Sequence, residues 1–322
     1  MTKLLPLSTY HPSRYGRGTL TVSRCEQILL VALDRTNVKN AFNDDMYLDL
    51  VDVLHQVEQD DSLVAIVLTG RGSYFSSGAD LKSLQQGGQQ AMSDKSVLER
   101  PTGRFMMALL QFPKLLAAAV NGPAVGIGVT LLMHCDIVIC SDKATFWAPF
   151  TRLALGMCPS AFMSFFSLPL LRLLQKRLPF TLPLVVPELC SSVTFLESMG
   201  LSKANELLLL GKRIDAKTAV DWNICSRMIE LEPHQNGADP FSNHSLAHHV
   251  CNELNQLLLS LPLSDKTTRV FISLIRGQKQ RIHRMQQICR NELKLLDQRG
   301  RNGDVLLALH ELTLEQKRSS KL

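Results

Sequence analysis

Apolar runs and stretches of helical periodicity alternate along the first two thirds of the chain. Four short stretches are almost wholly apolar and are predicted to be strands: 28–33, 64–69, 115–120 and 136–141. Between the first two, residues 43–59 repeat apolar side chains at a helical period, with Asn43 or Asp44 as the N-cap. This alternation predicts parallel strands joined by crossover helices, and therefore an α/β fold.

The remainder of the chain is predicted to be mainly helical. Stretches of amphipathic helical pattern follow one another after residue 232: 246–259, 266–275, 282–296 and 304–314. Residues 1–17 are basic and contain proline and glycine but no acidic residue, which favours a disordered leader over a mitochondrial transit peptide. We therefore divide the chain into a leader at 1–17, a core at 18–231, a helical region at 232–316 and an exposed tail at 317–322.

Composition fits an ordinary soluble globular protein and decides little beyond that. The net charge of +6 suits an anionic small ligand as well as weak nucleic-acid binding. The eight cysteines form no Cys-x-x-Cys pattern, which argues against a zinc site or a disulfide framework. His244, His248 and His249 have metal-binding spacing but no acidic or cysteine partner at ligand spacing, so a solvated helix face is favoured and no metal is expected.

The uncharged stretch 153–171 contains Gly156 and prolines, so no membrane span is expected.

A turn rich in small residues lies within the core, with apolar residues on both sides. Gly122, Ala124, Gly126 and Gly128 allow the backbone to turn sharply and another molecule to come close. A helix is expected to begin near Gly126 and to run to about His134, and the free N–H groups at its start could hold an oxyanion. A purely structural turn between a strand and a buried helix is the alternative.

Four motifs, in order along the chain, resemble those of one known family. Arg35 with Asn40-Ala41-Phe42 comes first, followed by residues 75–81, 121–128 and 135–138. The motifs are similar to those of the enoyl-CoA hydratase/isomerase (crotonase) family, and within it to the branch of peroxisomal 3-enoyl-CoA to 2-enoyl-CoA isomerases. This resemblance implies a crotonase-like spiral of β-β-α turns with a C-terminal helical trimerisation region, and hence a homotrimer.

The resemblance also implies which residues hold the substrate, an acyl-CoA thioester. The backbone N–H groups of Ala79 and Ile127 would bind the thioester oxygen and stabilise the negative charge that develops there. The substrate-binding residues would be Ser76, Ser77, Gly78, Ala79, Asp80, Leu81 and Gly126. The polar members of this loop could instead only shape it. Lys39 and Lys82 are candidates for binding the CoA phosphates, with solvated lysines as the alternative, and no cofactor is expected beyond the CoA of the substrate.

The general base is the harder assignment. Hydratases of this family use two carboxylates, and Thr130 occupies the position of the first, so water addition is disfavoured. Isomerisation needs only one carboxylate, which takes a proton from carbon 2 and returns it to carbon 4. The isomerase motif begins at residues 155–159 and resumes at Pro187-Glu188, which makes Glu188 the candidate base and 159–186 an insertion. Apolar surroundings would raise the pKa of Glu188, and an ordinary surface glutamate is the alternative.

The expected function is isomerisation of 3-enoyl-CoA to trans-2-enoyl-CoA in the β-oxidation of unsaturated fatty acids. Two alternatives stay open: an acyl-CoA-binding protein whose site is disturbed by the insertion, and a non-enzymatic interaction module. Ser320-Lys321-Leu322 is a peroxisomal address, which predicts an import receptor as a partner and the peroxisomal matrix as the location. The mitochondrion is the weaker alternative, and no nucleic-acid partner is expected.

Overall fold

The fold is given by a computed structural model that describes residues 12–80, 97–150, 188–231, 239–242, 245–260, 265–276 and 279–301. The strands in these ranges are β1 (Ser13–Tyr15), β2 (Leu20–Cys25), β3 (Ile28–Leu33), β4 (Ala65–Gly70), β5 (Leu115–Val120), β6 (Ala124–Val125), β7 (Ile137–Ser141), β8 (Thr145–Trp147), β9 (Arg213–Asp215) and β10 (Arg227–Ile229). The helices are α1 (Asp44–Gln59), α2 (Pro101–Gln111), α3 (Ile127–Thr130), α4 (Ser191–Met199), α5 (Leu201–Ala204), α6 (Ala216–Asp221), α7 (Leu246–Ser260), α8 (Asp265–Ile275) and α9 (Lys279–Arg301).

The described strands form two sheets. The larger one has seven strands in the order β1-β2-β3-β4-β5-β7-β10, and the smaller one has the order β6-β8-β9. β1, β2 and β3 pair as antiparallel neighbours, whereas every pairing from β3 to β10 in the large sheet is parallel. Parallel neighbours need a crossover connection, which α1 supplies between β3 and β4 and α2 between β4 and β5. The predicted α/β fold of strands and crossover helices is therefore confirmed.

The large sheet is buried on both faces, which explains why its central strands are apolar throughout. Leu29 and Ile66 point to the face that α1 and α2 cover. Their neighbours Leu30 and Val67 point to the opposite face, which α7 covers. The residues that α7 buries are Leu246, Ala247, Val250, Cys251, Leu254 and Leu258.

The C-terminal helices, which the resemblance assigns to trimerisation, bury many of their apolar side chains within the chain itself. The apolar face of α7 packs against the chain's own sheet. Met285, Cys289 and Leu293 of α9 join the core on the other face of that sheet. In α8, by contrast, Phe271 and Leu274 are exposed. The homotrimer stays a prediction.

The predicted leader at 1–17 contains a strand, so its boundary is wrong. Ser13–Tyr15 pair with β2, and the Tyr15 hydroxyl donates a hydrogen bond to the Gln56 side chain over 2.9 Å. These contacts hold the segment against the sheet and α1. Residues 12–17 therefore belong to the fold and not to a leader.

The buried Asp49 on α1 holds the loop that follows β1. Its carboxylate accepts hydrogen bonds from the Arg17 N–H over 2.8 Å and from the Thr19 hydroxyl over 2.6 Å. We expect Asp49→Ala to lower the free energy of unfolding by about 2–4 kcal/mol, because these buried donors would lose their acceptor. Denaturant unfolding measures this loss. Asp52→Ala removes the more exposed carboxylate paired with the same arginine and should cost less than about 1 kcal/mol; equal losses would contradict the prediction.

Several sequence-based predictions fall outside the described residues: the leader up to residue 11, Leu81, Lys82, the insertion at 159–186, residues 232–238, the helix at 304–314 and the tail with Ser320-Lys321-Leu322. Within the described ranges, no helix combines the length and apolar character needed to cross a bilayer. The same ranges contain no group of three or more histidine, cysteine or acidic side chains arranged to hold a metal ion.

Candidate active site

The turn of small residues leads directly into a helical stretch. Gly126 has a φ of 53° and a ψ of −120°, a combination that glycine adopts readily and other residues do not. Ile127 begins α3, and a 3₁₀ turn continues the helical structure to His134. The predicted helix between Gly126 and His134 is confirmed, and the N–H of Ile127 stands at its open N-terminal end.

A second loop passes beside this turn. Ser76 forms a parallel bridge with Ala124, and the Val125 N–H donates to the Ser76 carbonyl over 2.9 Å. Gly78 comes so close that a Cβ atom there would lie 3.1 Å from the Val125 carbonyl oxygen. Its φ of 94° also favours glycine. The two backbone segments are therefore held side by side.

Ala79 and Ile127 carry the main-chain groups predicted to bind the thioester oxygen. On either side of Ala79, the Gly78 carbonyl accepts the Phe42 N–H and the Asp80 N–H donates to the Phe42 carbonyl, both over 2.8 Å. The N–H groups of Ala79 and Ile127 themselves donate no hydrogen bond to any residue that the structure describes. Backbone N–H groups that have no acceptor within the protein can stabilise a negatively charged oxygen.

The polar side chains of the loop bind the protein itself. The Ser76 hydroxyl is fully buried and donates to the Asn40 carbonyl over 2.9 Å. The Ser77 hydroxyl donates to another main-chain carbonyl over 3.0 Å. Asp80 accepts a hydrogen bond from the Arg35 guanidinium over 2.9 Å. These contacts fit the alternative in which the side chains shape the loop, and direct contact with a substrate stays a prediction.

Glu188 lies at the start of a tight turn that leads into α4, and its carbonyl accepts the Ser191 N–H over 3.1 Å. Its carboxyl group lies near Tyr47: burial is the main cause that raises the pKa of this phenol, and the charge of Glu188 is the next. The Tyr47 ring centroid lies 5.4 Å from that of Phe42, whose backbone holds the loop around Ala79. The candidate base and one of the candidate N–H donors therefore both lie near this pair of aromatic side chains.

The carboxyl group of Glu188 is poised to exchange protons near neutral pH. Burial raises its pKa to about 7, although part of the residue remains accessible to solvent. The charge of Glu292, a buried carboxylate on α9, is the second cause. A carboxylate with such a pKa is a stronger base than an exposed one and can also return the proton that it takes.

Comparison with known proteins places this arrangement in a family. A sequence model of enoyl-CoA hydratase/isomerase proteins matches residues 23–169. Over 224 residues the chain is 34% identical to "Enoyl-CoA delta isomerase 3, peroxisomal" of Mus musculus, an alignment of 67% of this chain and 61% of that protein. The chain belongs to the enoyl-CoA hydratase/isomerase family.

Two further comparisons show how much of the chain is matched. "Enoyl-CoA delta isomerase 2" of Homo sapiens is 36% identical over 63% of this chain and 44% of its own length. The solved structure of Pseudomonas aeruginosa OdaA superposes with a TM-score of 0.71 at 27% identity, covering 91% of this chain and 98% of that one. The chain spans less than two thirds of the length of the two curated relatives. The superposition covers almost all of the solved structure.

Thr130 stands at the position where the resemblance to hydratases of the family calls for a carboxylate. Its side chain is fully buried, and its hydroxyl donates to the Ile127 carbonyl over 3.4 Å. An aliphatic hydroxyl does not exchange protons at neutral pH as a carboxylate does. This member of the enoyl-CoA hydratase/isomerase family therefore lacks an acid/base group at that position.

Lys39 and Lys82 were candidates for the CoA phosphates. The Lys39 ammonium lies over the Tyr74 ring, 4.8 Å from its centroid. This position is compatible with a cation–π contact, and it leaves phosphate binding as a prediction. Lys82 lies outside the described residues.

Three residues around Glu188 were not predicted from the sequence: Tyr47, His134 and Glu292. Glu292 had a detectable signal, because it falls at helical spacing from Met285 and Cys289 on the buried face of α9. A carboxylate in an apolar stripe needs hydrogen-bond donors, which indicates a special role. Tyr47 and His134 carried no comparable signal, since their proximity to Glu188 depends on how distant segments pack.

Proposed function

We propose that this chain isomerises 3-enoyl-CoA to trans-2-enoyl-CoA. The observation that carries the proposal is the combination of one carboxyl group of pKa about 7, Glu188, with two main-chain donors at Ala79 and Ile127. Two relatives named as enoyl-CoA delta isomerases, 34% and 36% identical, support the same chemistry.

The proposed reaction moves one proton and one double bond. The Glu188 carboxylate takes a proton from carbon 2, and the electrons of that bond form a dienolate whose negative charge reaches the thioester oxygen. The N–H groups of Ala79 and Ile127 stabilise this oxygen, and each such donor typically contributes about 100- to 1,000-fold in rate. Glu188 then delivers the proton to carbon 4. The double bond now lies between carbons 2 and 3, and the carboxylate is regenerated.

Hydration is less well supported than isomerisation. Addition of water needs one group to activate the water and another to protonate carbon 2. Thr130 replaces the first carboxylate that the resemblance to hydratases leads one to expect. A single acid/base group suffices for isomerisation, since the same proton is removed and returned.

The test is to incubate the purified full chain with a trans-3-enoyl-CoA and to separate the products by chromatography against a trans-2-enoyl-CoA standard. We expect the 2-enoyl thioester and no 3-hydroxyacyl-CoA. Binding of CoA thioesters without conversion would contradict the proposal in favour of an acyl-CoA-binding protein. Absence of any thioester binding would contradict it in favour of an interaction module. Accumulation of the 3-hydroxy product would instead indicate a hydratase.

The pH dependence of the reaction provides an independent prediction. The base must be ionised to accept a proton, and the pKa of Glu188 is about 7 in the unligated chain. The value of kcat/KM should therefore rise about tenfold per pH unit below pH 7 and level off above it. A profile that is flat between about pH 5.5 and 8.5 would contradict the assignment of Glu188 as the base.

The proposed location is the peroxisome, in keeping with the name of the mouse relative. Recognition of Ser320-Lys321-Leu322 by an import receptor and assembly into a homotrimer belong to the same proposal. Imaging of the full chain with a fluorescent protein fused at its N-terminus would test the location, with deletion of the three residues as the control.

A further inference from the structure

The turn that carries Glu188 has an unusual backbone. Leu189 has a φ of 57° and Cys190 a φ of 59°, two consecutive left-handed residues of which neither is glycine. Left-handed backbone disfavours residues with a Cβ atom and persists when the surroundings enforce it. Both side chains are fully buried, so the turn cannot relax without disturbing the core.

Two side chains from distant parts of the chain enforce this turn. On one side, Nε2 of His134 lies 2.7 Å from the Leu189 carbonyl oxygen. Burial lowers the pKa of His134 to about 4, so its ring is neutral at pH 7 and donates this hydrogen bond through Nε2–H. On the other side, the Glu292 carboxylate accepts the Cys190 N–H over 2.7 Å. It also accepts the N–H and the hydroxyl of Ser192, over 3.3 Å and 2.5 Å.

The two contacts tie the turn to different elements. His134 ends the helical stretch that begins at Ile127, one of the two candidate N–H donors. Glu292 lies on α9, which packs against α2 and the core. The position of Glu188 relative to the Ile127 N–H therefore depends on one hydrogen bond to the helical stretch and four to α9, three of them to the Glu292 carboxylate and one from Cys190 Sγ to the Met285 carbonyl.

We propose that Glu292 and His134 are positioning residues that hold the strained Leu189–Cys190 turn and so fix the carboxyl group of Glu188 in its working place. The inference rests on the proposed function, in which Glu188 is the base. Neither residue is required to touch the substrate. Glu292 has a second effect, because it places a negative charge near Glu188.

The ionisable groups around Glu188 come from several elements. Tyr47 faces it from α1, and burial raises the pKa of that phenol well above its usual range, so it carries no charge at neutral pH. His134 is neutral, and Cys289 on α9 keeps its proton because the neighbouring Cys190 thiol and burial raise its pKa. Burial raises the pKa of Glu292, while the hydrogen bonds that it accepts from Ser192 and Cys190 act in the opposite direction. In its ionised form Glu292 is the group in the described surroundings whose charge acts on Glu188.

The kinetic test compares two glutamate-to-glutamine variants that alter contacts between α4 and α9. Glu292→Gln removes the charge and part of the hydrogen bonding at the turn. We expect kcat to fall about 10- to 100-fold, the KM for the thioester to change less than about twofold, and the rising limb of the pH profile to move to lower pH. Glu197→Gln is the control, because Glu197 on α4 faces Arg281 and Arg284 of α9 at the surface.

Ser192→Ala extends the test to a variant that leaves Glu292 and its packing in place. Loss of one hydrogen bond should lower kcat about fivefold. A merely structural role for Glu292 would reduce the folded fraction or the melting temperature but leave kcat per folded molecule and the pH profile unchanged. Unchanged kcat per folded molecule and an unchanged pH profile in both variants would overturn the proposal. This holds whether or not Glu292→Gln folds fully, because kcat is expressed per folded molecule.

A second measurement separates this inference from the proposed function. With ¹³C at the glutamate side-chain carboxyl carbons, the Glu188 resonance can be identified by its absence in Glu188→Gln and titrated without substrate. We expect its midpoint to move to lower pH in Glu292→Gln and to stay in place in Glu197→Gln. If the wild-type chain shows no isomerase activity, the proposed function fails, and this titration still tests whether Glu292 is close enough for its charge to act on Glu188, as its positioning role requires. An unchanged midpoint in Glu292→Gln would overturn it.

Discussion

Replacement of Glu188 by glutamine is expected to lower kcat for isomerisation of a 3-enoyl-CoA by about 100- to 10,000-fold, the range that general acid–base groups typically contribute. The amide has nearly the shape of the carboxyl group but cannot take a proton from carbon 2. Because the backbone donors at Ala79 and Ile127 remain, the thioester should bind with nearly unchanged affinity. Steady-state kinetics together with equilibrium binding of a non-reactive acyl-CoA measure both quantities.

The pH dependence of stability distinguishes lost chemistry from a damaged fold. A carboxyl group whose folded pKa of about 7 exceeds its usual value of 4.5 binds its proton more tightly in the folded state, so it stabilises the fold as pH falls from 7 towards 4.5. Above pH 7 the ionised, buried group destabilises the fold. Glu188→Gln should therefore be at least as stable as the wild type at pH 8 while being nearly inactive. Activity within tenfold of the wild type would refute Glu188 as the base.

Gly126→Ala is expected to lower kcat by about 100- to 1,000-fold, the typical cost of losing one oxyanion donor. There is room for the added methyl group, since a Cβ atom would meet its nearest neighbour at 3.8 Å. The loss of kcat is expected from the backbone conformation, because φ of 53° with ψ of −120° is strained for alanine. Rotation of the following peptide relieves this strain and turns the Ile127 N–H away from the substrate oxygen.

Gly200→Ala is the matched control for that variant. Gly200 also has a positive φ, 80°, and an added Cβ atom would have no neighbour within 4 Å. It connects α4 to α5, at the far end of α4 from Glu188. Both variants should lose similar stability in thermal unfolding, but only Gly126→Ala should lose kcat. Equal activity of the two would show that the Ile127 N–H does not stabilise the transition state.

Local patterns in the sequence were sufficient to predict the elements that support the site. The apolar run at 28–33 forms β3, and Asn43 caps α1 by accepting the Met46 N–H. The turn at Gly126 could be located because its conformation requires glycine, and the glycine is visible in the sequence. Regular structure of this kind depends mainly on neighbours along the chain, so its signal is local.

Contacts between segments that are distant along the chain were harder to predict from the sequence. The hydrogen bonds of Glu292 to Cys190 and Ser192 join residues about a hundred positions apart, and that of His134 to Leu189 depends on the packing of α4 against the 3₁₀ turn. The left-handed turn at Leu189 and Cys190 was also not predictable, because neither residue type favours it. Tertiary contacts impose this conformation, and a reading of local propensity cannot anticipate it.

The cover that α7 provides for the second face of the large sheet has a consequence for synthesis of the protein. All seven strands precede α7 in the chain, so a nascent polypeptide that has left the ribosome as far as β10 can pair its strands while one apolar face is still bare. Exposed apolar sheet surfaces promote aggregation, and chaperones bind such intermediates. Until Leu258 has emerged, the growing chain therefore exposes an apolar sheet face that α7 covers in the finished protein.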